Sequence, residues 1–120
     1  MKKTLVIGAS ENPERYSYKA INALVKHGHE VVALGLRPGN VAGIEFETEK
    51  KPFDGIDTVT LYVGPKNQPE YYDFIIGLKP RRVIFNPGTE NQELIEKLKA
   101  AGIYPEIACT LVLLGTGQFE

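Results

Sequence analysis

Short apolar, β-branched runs alternate along the chain with segments whose apolar residues recur at the period of a helix. Four of these runs predict strands: 4–8 (TLVIG), 30–35 (EVVALG), 57–63 (DTVTLYV) and 81–86 (RRVIFN). Apart from some alternation in the third, they are continuously apolar, which is typical of strands buried on both faces. A weaker fifth strand is predicted at 103–108, where Pro105 favours the edge of a sheet.

The segments between the strands predict three helices. The first runs from Ser17 to His27, and His27 helps to cap its end; the second lies near residues 69–78. At the third, Thr89 and Gln92 match the S/T-x-x-E/Q capping box, in which each side chain binds the other residue's free backbone N–H. The long connection after the second strand has room for a short extra strand at 44–46.

Alternating strands and helices in 120 residues predict one α/β domain over residues 1–120. We expect a doubly wound, Rossmann-like parallel sheet of about five strands in the order 3-2-1-4-5, with helices on both faces. A ligand of such a sheet binds beyond the carboxyl ends of the strands, where the winding direction reverses. With that order, the loops that begin at Gly8 and Asn86 flank one crevice, and residues 35–40 and 62–68 border it.

Composition narrows the function classes. The formal net charge is −1, so neither nucleic acid nor an anionic membrane is favoured as a partner. No apolar run has the roughly 18 residues of a membrane span, and the apolar start at Leu5–Ile7 is too short for a secretory signal. The single cysteine, Cys109, fits a reducing, cytoplasmic location. The apolar end at 110–119 predicts a core edge or a homodimer contact.

The turn after the first strand is a candidate phosphate site. Gly8 allows a tight turn, and the small Ala9 and Ser10 let a ligand approach the backbone. Free N–H groups and the dipole at the following helix start favour an anion. Hydroxyl donors and positive charge come from Ser10, Ser17, Arg15 and Lys19. An ordinary strand-to-helix turn with Ser17 as N-cap explains the same residues, because the G-x-G-x-x-G fingerprint is absent.

The end of the second strand argues against NAD. An NAD site places an Asp or Glu there to accept hydrogen bonds from the ribose hydroxyls. This chain has Arg37, and Glu30 lies at the opposite end of the strand. Arg37 can pair with a ribose phosphate in a forked geometry, or it can be a solvated loop residue beside Pro38.

Two further loops can border a ligand. After the third strand, Tyr62, Val63 and Pro65 can present a flat apolar wall, although Gly-Pro can also simply end a strand. After the fourth strand, the segment Asn86, Pro87 and Gly88 turns into the third helix, and its glycine permits close approach to a ligand.

Catalytic and metal chemistry have no signal in this sequence. His27 and His29 lack an accompanying Cys or acidic cluster, so no metal site is expected. No base, nucleophile or paired carboxylate set is recognisable, so no catalytic residue is nominated. Cys109 is either an inert buried thiol or a group that forms a mixed disulfide with a thiol ligand.

The segment "VIGASENPERYSYKAINALVKHGHEVVALGLRPGNVAGIE" resembles the opening of stand-alone coenzyme A-binding domain proteins. That family is similar to the N-terminal domain of the succinyl-CoA synthetase alpha subunit and of ADP-forming acyl-CoA synthetases. The G-A-S-x-N-P-x-R-x-S opening, the G-H-x-V segment and the cysteine-containing end carry the resemblance. It implies a Rossmann-like fold that binds CoA.

The resemblance also implies site residues. Gly8, Ala9 and Ser10 match the loop near the CoA phosphates, followed by Arg15, Ser17 and Lys19. Residues 62–65 match a loop beside the nucleotide and pantetheine arm, and 86–89 match the loop across the crevice. The chain departs from many relatives at Leu34-Gly35-Leu36 and Gly64-Pro65-Lys66, and the synthetases' catalytic parts have no counterpart.

The expected function is therefore non-catalytic binding of coenzyme A or an acyl-CoA through the glycine/serine turn. Two alternatives stay open. One is a fragment of an NADP-binding oxidoreductase, which would share the fold and Arg37. The other is a thiol-redox or partner-docking module that uses Cys109.

Overall fold

A computed structural model describes residues 3–120, in which the strands and helices alternate. The strands are β1 (Thr4–Ile7), β2 (Val31–Leu34), β3 (Asn40–Val41), β4 (Ile44–Glu45), β5 (Thr58–Leu61), β6 (Arg82–Phe85) and β7 (Tyr104–Ile107). β3 and β4 form a separate antiparallel hairpin, and the other five strands form one parallel sheet. The four long predicted strands, the weaker fifth and the short extra strand are thus confirmed.

Helices connect the parallel strands. They are α1 (Tyr16–Lys26), α2 (Tyr72–Leu78), α3 (Gln92–Ala100) and α4 (Thr110–Gly115). Two 3₁₀ turns, Pro65–Asn67 and Pro69–Tyr71, precede α2. The sequence pattern did not predict α4. It did predict the cap at His27, whose ring nitrogen Nδ1 lies 2.8 Å from the Ala23 carbonyl oxygen at the end of α1.

The core has one apolar layer on each face of the sheet. One layer packs Ile75 of α2 and Leu94 and Leu98 of α3 against the sheet. The other packs Ile21 and Leu24 of α1 together with Leu113 and Leu114 of α4. Successive residues of a strand point to opposite faces, so β1 and β6 contribute apolar residues to both layers, while β5 contributes Val59 and Leu61 to the first layer and buried threonines to the other face. This is the doubly wound arrangement that continuous apolar strands predict.

The strand order needs one correction. The five strands lie in the order β2-β1-β5-β6-β7, so residues 57–63 pair with β1 instead of lying outside β2. The outer position beside β2 is taken by Glu47, which forms an isolated parallel bridge to Leu34. When that bridge counts as the third strand, the order begins 3-2-1-4-5. The winding direction therefore reverses between β1 and β5, not between β1 and β6.

The predicted capping box at the start of α3 is wrong. The N-cap is Asn91, whose Oδ1 accepts the Leu94 N–H at 3.3 Å. The Thr89 hydroxyl instead donates to the Asn86 carbonyl oxygen at 2.8 Å, and the Gln92 amide donates to Glu96. Asparagine is among the most favoured N-cap residues, so it takes the position that Thr89 was expected to hold.

The end of the chain forms a core edge. Phe119 is almost fully buried, and the Arg82 guanidinium lies 4.6 Å above its ring centroid. Arg82 also donates to the Phe119 carbonyl oxygen at 2.6 Å. A cation over an aromatic face and a charge-assisted hydrogen bond hold this segment against the amino end of β6.

Candidate functional site

A groove of about 780 Å³ opens at the carboxyl edge of the sheet. It is bounded by the turn after β1, the loop after β2 and the loop after β5. Its lining includes Gly8, Ala9, Ser10, Glu11, Arg15, Gly35, Leu36, Arg37, Phe46, Tyr62, Val63, Glu70 and Tyr71. This is where the winding direction of the sheet reverses, the usual place of a ligand in doubly wound domains.

Gly8 fixes the turn after β1 between the neighbouring strands. Its N–H and that of Ala9 both donate to the Leu34 carbonyl oxygen at 3.0 Å. Gly8 has a φ of +95°, which side chains disfavour, and a Cβ there would lie 2.7 Å from the Tyr62 carbonyl oxygen. The turn is therefore held between β2 and the end of β5.

The backbone N–H groups of Gly8 and Ala9 are occupied, so the donors open to a ligand in this region are others. The N–H groups of Ser10 and Glu11 make no hydrogen bond within the described residues. The same holds for the first turn of α1, at residues 16–18. Its N-cap, Arg15, has no capping side-chain bond, and the first turn has no acidic residue. An uncapped helix start with unused donors favours an anion.

Local hydrogen bonds shape the loop that leads into α1. The Asn12 N–H donates to the Ser10 hydroxyl and the Glu14 N–H donates to Asn12 Oδ1, both at 3.0 Å. The Arg15 N–H donates to the Asn12 carbonyl oxygen. These side-chain turns hold Arg15 at the groove and leave the Ser10 hydroxyl proton free to donate to a ligand.

Ser17 belongs to the same helix start. It lies inside the first turn of α1 and not at the N-cap, and only 3% of its surface is exposed. Its hydroxyl makes no hydrogen bond within residues 3–120 of the structure. The residue as a whole is buried and does not line the groove, so Ser17 is part of the packing of the helix start.

The wall formed by the loop after β5 has an internal anchor that the sequence did not reveal. Gln68 is fully buried and donates to the carbonyl oxygens of Val63 and Thr89 at 2.8 and 2.7 Å. Its side-chain oxygen Oε1 accepts from the Asn91 side-chain amide at 2.9 Å. This network fixes the loop that carries Tyr62 and Val63.

Tyr62 reaches from the groove into the interior. Burial raises the pKa of its hydroxyl to about 12, so the group is protonated at neutral pH. The hydroxyl oxygen is buried and has no hydrogen-bond partner among the described residues. The hydroxyls of Thr60 and Thr110 lie near it, but they bind each other at 2.8 Å.

Charges of both signs line the groove. Arg15 and Arg37 supply positive charge, while Glu11 and Glu70 supply negative charge. Lys50 compensates Glu70: its Nζ lies 3.9 Å from the carboxylate and donates to the Glu70 carbonyl oxygen at 2.7 Å. The two arginines remain available to a ligand, because neither forms an ion pair within the described part of the chain.

The structure brings part of the predicted site together in this groove. The predicted residues that line it are Gly8, Ala9, Ser10, Arg15, Arg37, Tyr62 and Val63. The others lie outside its lining: Ser17, Lys19, Pro65, Asn86, Pro87 and Gly88. Among these, Lys19 is exposed, with its ammonium 5.1 Å from the Tyr16 ring centroid, and Gly88 donates its N–H to Glu90 at 2.9 Å.

Asn86 is committed to the fold. Its amide donates to the Thr60 hydroxyl at 2.6 Å and to the Leu61 carbonyl oxygen at 2.8 Å. Its side-chain oxygen Oδ1 accepts the Thr110 N–H at 2.9 Å. Asn86 therefore links β5 and β6 to the start of α4.

Cys109 occupies the N-cap of α4, half-buried, and is not among the groove-lining residues.

Within residues 3–120, no group of three or more His, Cys, Asp or Glu side chains is placed to hold a metal ion. The helices described here include none long and apolar enough to cross a membrane.

The fold and the groove together define a Rossmann-like α/β domain with an open groove at its switch point. The chain belongs to the CoA binding domain family, whose model matches residues 2–115. A comparison with curated proteins gave no match.

Solved structures are similar to this chain in fold. One, described only as an uncharacterized protein, is 51% identical with a TM-score of 0.97, over 99% of this chain and 98% of that one. A hypothetical protein from Pyrococcus horikoshii OT3 is 27% identical with a TM-score of 0.86, over 99% and 84%. A protein from Thermus thermophilus, 22% identical with a TM-score of 0.84 over 98% and 90%, shares the fold.

Proposed function

We propose that this chain binds coenzyme A or an acyl-CoA in the groove and performs no reaction on it. Family membership supports CoA binding in general. The observation that carries the proposal is the set of unused N–H donors at Ser10, Glu11 and residues 16–18, beside Arg15. These donors and the helix dipole match the diphosphate of CoA.

The groove also has residues suited to the 3′-phosphate and the pantetheine arm of CoA. Arg37, on the loop after β2, is the proposed partner of the 3′-phosphate, because a guanidinium binds phosphate in a forked geometry. Val63, Phe46 and Tyr71 give the groove an apolar surface for the weakly polar pantetheine arm.

The lining chemistry supports binding without catalysis. Within the described residues, no His, Cys or Lys side chain lines the groove. Tyr62 is not a general base near neutral pH, because burial raises its pKa to about 12. Glu70 is engaged by Lys50, which leaves Glu11 as the carboxylate without a cationic partner.

Isothermal titration with CoA, dephospho-CoA, NADPH and NADH tests the proposal. We expect CoA to bind most tightly. Arg15→Gln should weaken CoA binding about tenfold, as expected for the loss of one charge-assisted contact. Lys26→Gln, which removes a charge at the other end of α1, is the matched control and should leave the affinity unchanged. No heat with CoA at about millimolar concentration from a folded sample, or tighter binding of NADPH, contradicts the proposal.

A further inference from the structure

The carboxylate of Glu11, on the loop after β1, binds the first residue of β3, where the loop after β2 ends. Glu11 Oε2 accepts the Asn40 N–H at 2.8 Å. Gly39 makes room for this approach, since a Cβ at Gly39 would lie 2.8 Å from both Cγ and Cδ of Glu11. The second carboxylate oxygen, Oε1, makes no hydrogen bond within the described residues. One carboxylate oxygen thus holds the side chain in position, and the other is available to accept a hydrogen bond from a ligand.

This position is the one where a nucleotide ribose is expected. In a doubly wound domain with the phosphates at the first helix, the ribose lies at the end of the second strand. The end of β2 in this chain carries Arg37 and no acidic residue. Glu11 brings the missing carboxylate from a different loop, and both residues line the same groove.

We propose that Glu11 is a specificity-determining residue, which accepts a hydrogen bond from a free ribose 2′-hydroxyl and repels a phosphate at that oxygen. The inference rests on the proposed binding of CoA in this groove. CoA carries its ribose phosphate on the 3′-oxygen and a free hydroxyl on the 2′-oxygen. A carboxylate for the hydroxyl and a guanidinium, Arg37, for the phosphate match that pattern.

The charges of the two residues are not cancelled by each other. No ion pair joins Glu11 and Arg37 in the described chain, so each remains available to a different group of the ligand. A ribose with its phosphate on the 2′-oxygen would place a dianion against the Glu11 carboxylate. Like charges at such short range oppose binding, and this repulsion is the physical basis of the selection.

Glu11→Gln separates this role from a purely structural one. The glutamine carbonyl oxygen can still accept the Asn40 N–H, so the link between the two loops is retained while the charge is removed. Glu70→Gln is the matched control. It removes a carboxylate that lines the same groove but is paired with Lys50 on the far wall.

The test compares titration of CoA with titration of its isomer that carries the phosphate on the ribose 2′-oxygen. We expect the wild-type protein to prefer CoA about tenfold or more, the scale of one short-range charge contact. Glu11→Gln should reduce that preference at least about fivefold, mainly by tighter binding of the isomer, and Glu70→Gln should not change it.

Two results would overturn the inference without affecting the proposed function: equal binding of both isomers, or a preference for CoA that Glu11→Gln leaves intact. Failure of CoA itself to bind the folded wild-type protein would instead refute the proposed function, and this inference with it.

Discussion

The backbone of Gly8 lies against the backbone of Tyr62, so that a Cβ on Gly8 would be 2.7 Å from the Tyr62 carbonyl oxygen and 2.9 Å from its carbonyl carbon. This contact joins the turn after β1 to the end of β5, where the sheet reverses its winding. It also sets the position of the loop that leads to the open N–H groups of α1.

Gly8→Ala should therefore damage both stability and the site. The φ of +95° strains any side chain, and the new Cβ meets rigid backbone. We expect a loss of about 3 kcal/mol in the free energy of unfolding, measured by urea denaturation. Gly64→Ala is the control, because Gly64 has a φ of −64° and open space around its Cβ position. Equal stability of the two variants would show that the close contact is absent.

Arg37→Gln should act on one phosphate of the ligand. If Arg37 binds the 3′-phosphate, the variant should bind CoA about tenfold more weakly and bind dephospho-CoA as the wild-type protein does. Arg37 is exposed, so the free energy of unfolding should not change. Titration of both ligands into the wild-type protein and the variant gives a thermodynamic cycle, which measures the coupling between Arg37 and the 3′-phosphate. An equal loss for both ligands would place Arg37 elsewhere on the nucleotide.

Tyr62→Phe should stabilise the protein, because it removes a buried hydroxyl that has no partner in the described structure. We expect a gain of about 1 kcal/mol at pH 7 by urea denaturation. A decrease in stability at that pH would mean that the hydroxyl makes a bond that the structure lacks.

The same variant should change the alkaline limb of the stability profile. The folded-state pKa of Tyr62, about 12, exceeds the usual value of 10.0, so the unfolded chain loses this proton first. The ionisation of Tyr62 therefore leaves the free energy of unfolding unchanged below pH 10 and lowers it as the pH rises towards 12. Tyr62→Phe should have a shallower decline over that range. Parallel profiles for both proteins would exclude the linkage.

Asn86→Ala should destabilise the fold by about 2–4 kcal/mol, because it breaks three buried hydrogen bonds and leaves their partners unsatisfied. Asn22→Ala is a suitable control. Asn22 lies exposed on α1 and makes one bond, to the Tyr18 carbonyl oxygen at 3.1 Å. Thermal and urea denaturation measure both variants. A change below about 0.5 kcal/mol for Asn86→Ala would refute its role as a link between strands.

The sequence predicted the elements well because their signals are local. Continuous β-branched runs separated by helix-period segments determine buried parallel strands and crossover helices. The place of residues 57–63 in the sheet depended on a non-local competition. Glu47, from the irregular connection, pairs beside β2 and leaves the position beside β1 to β5. No periodicity marks a single-residue bridge.

The lining of the groove was predicted only where the sequence signal is local. Gly8 and Arg37 could be found from the turn and the strand end on which they lie. Glu11 and Gln68 could not, because each acts across a loop contact that no spacing encodes: Glu11 with Asn40, and Gln68 with Thr89. Asn86 was predicted to border the ligand because it lies in a loop at the end of a strand. Its side chain instead makes three hydrogen bonds inside the protein, which no local sequence pattern indicates.

The most direct test of CoA binding at the start of α1 is a titration of ¹⁵N-labelled protein with CoA, followed by the amide chemical shifts. We expect the largest changes at the N–H groups with no partner in the structure, Ser10, Glu11 and residues 16–18. Gly8 and Ala9 should move less, because their N–H groups remain bound to the Leu34 carbonyl oxygen. Changes centred instead on residues 86–89, or no change at saturating CoA, would contradict the account.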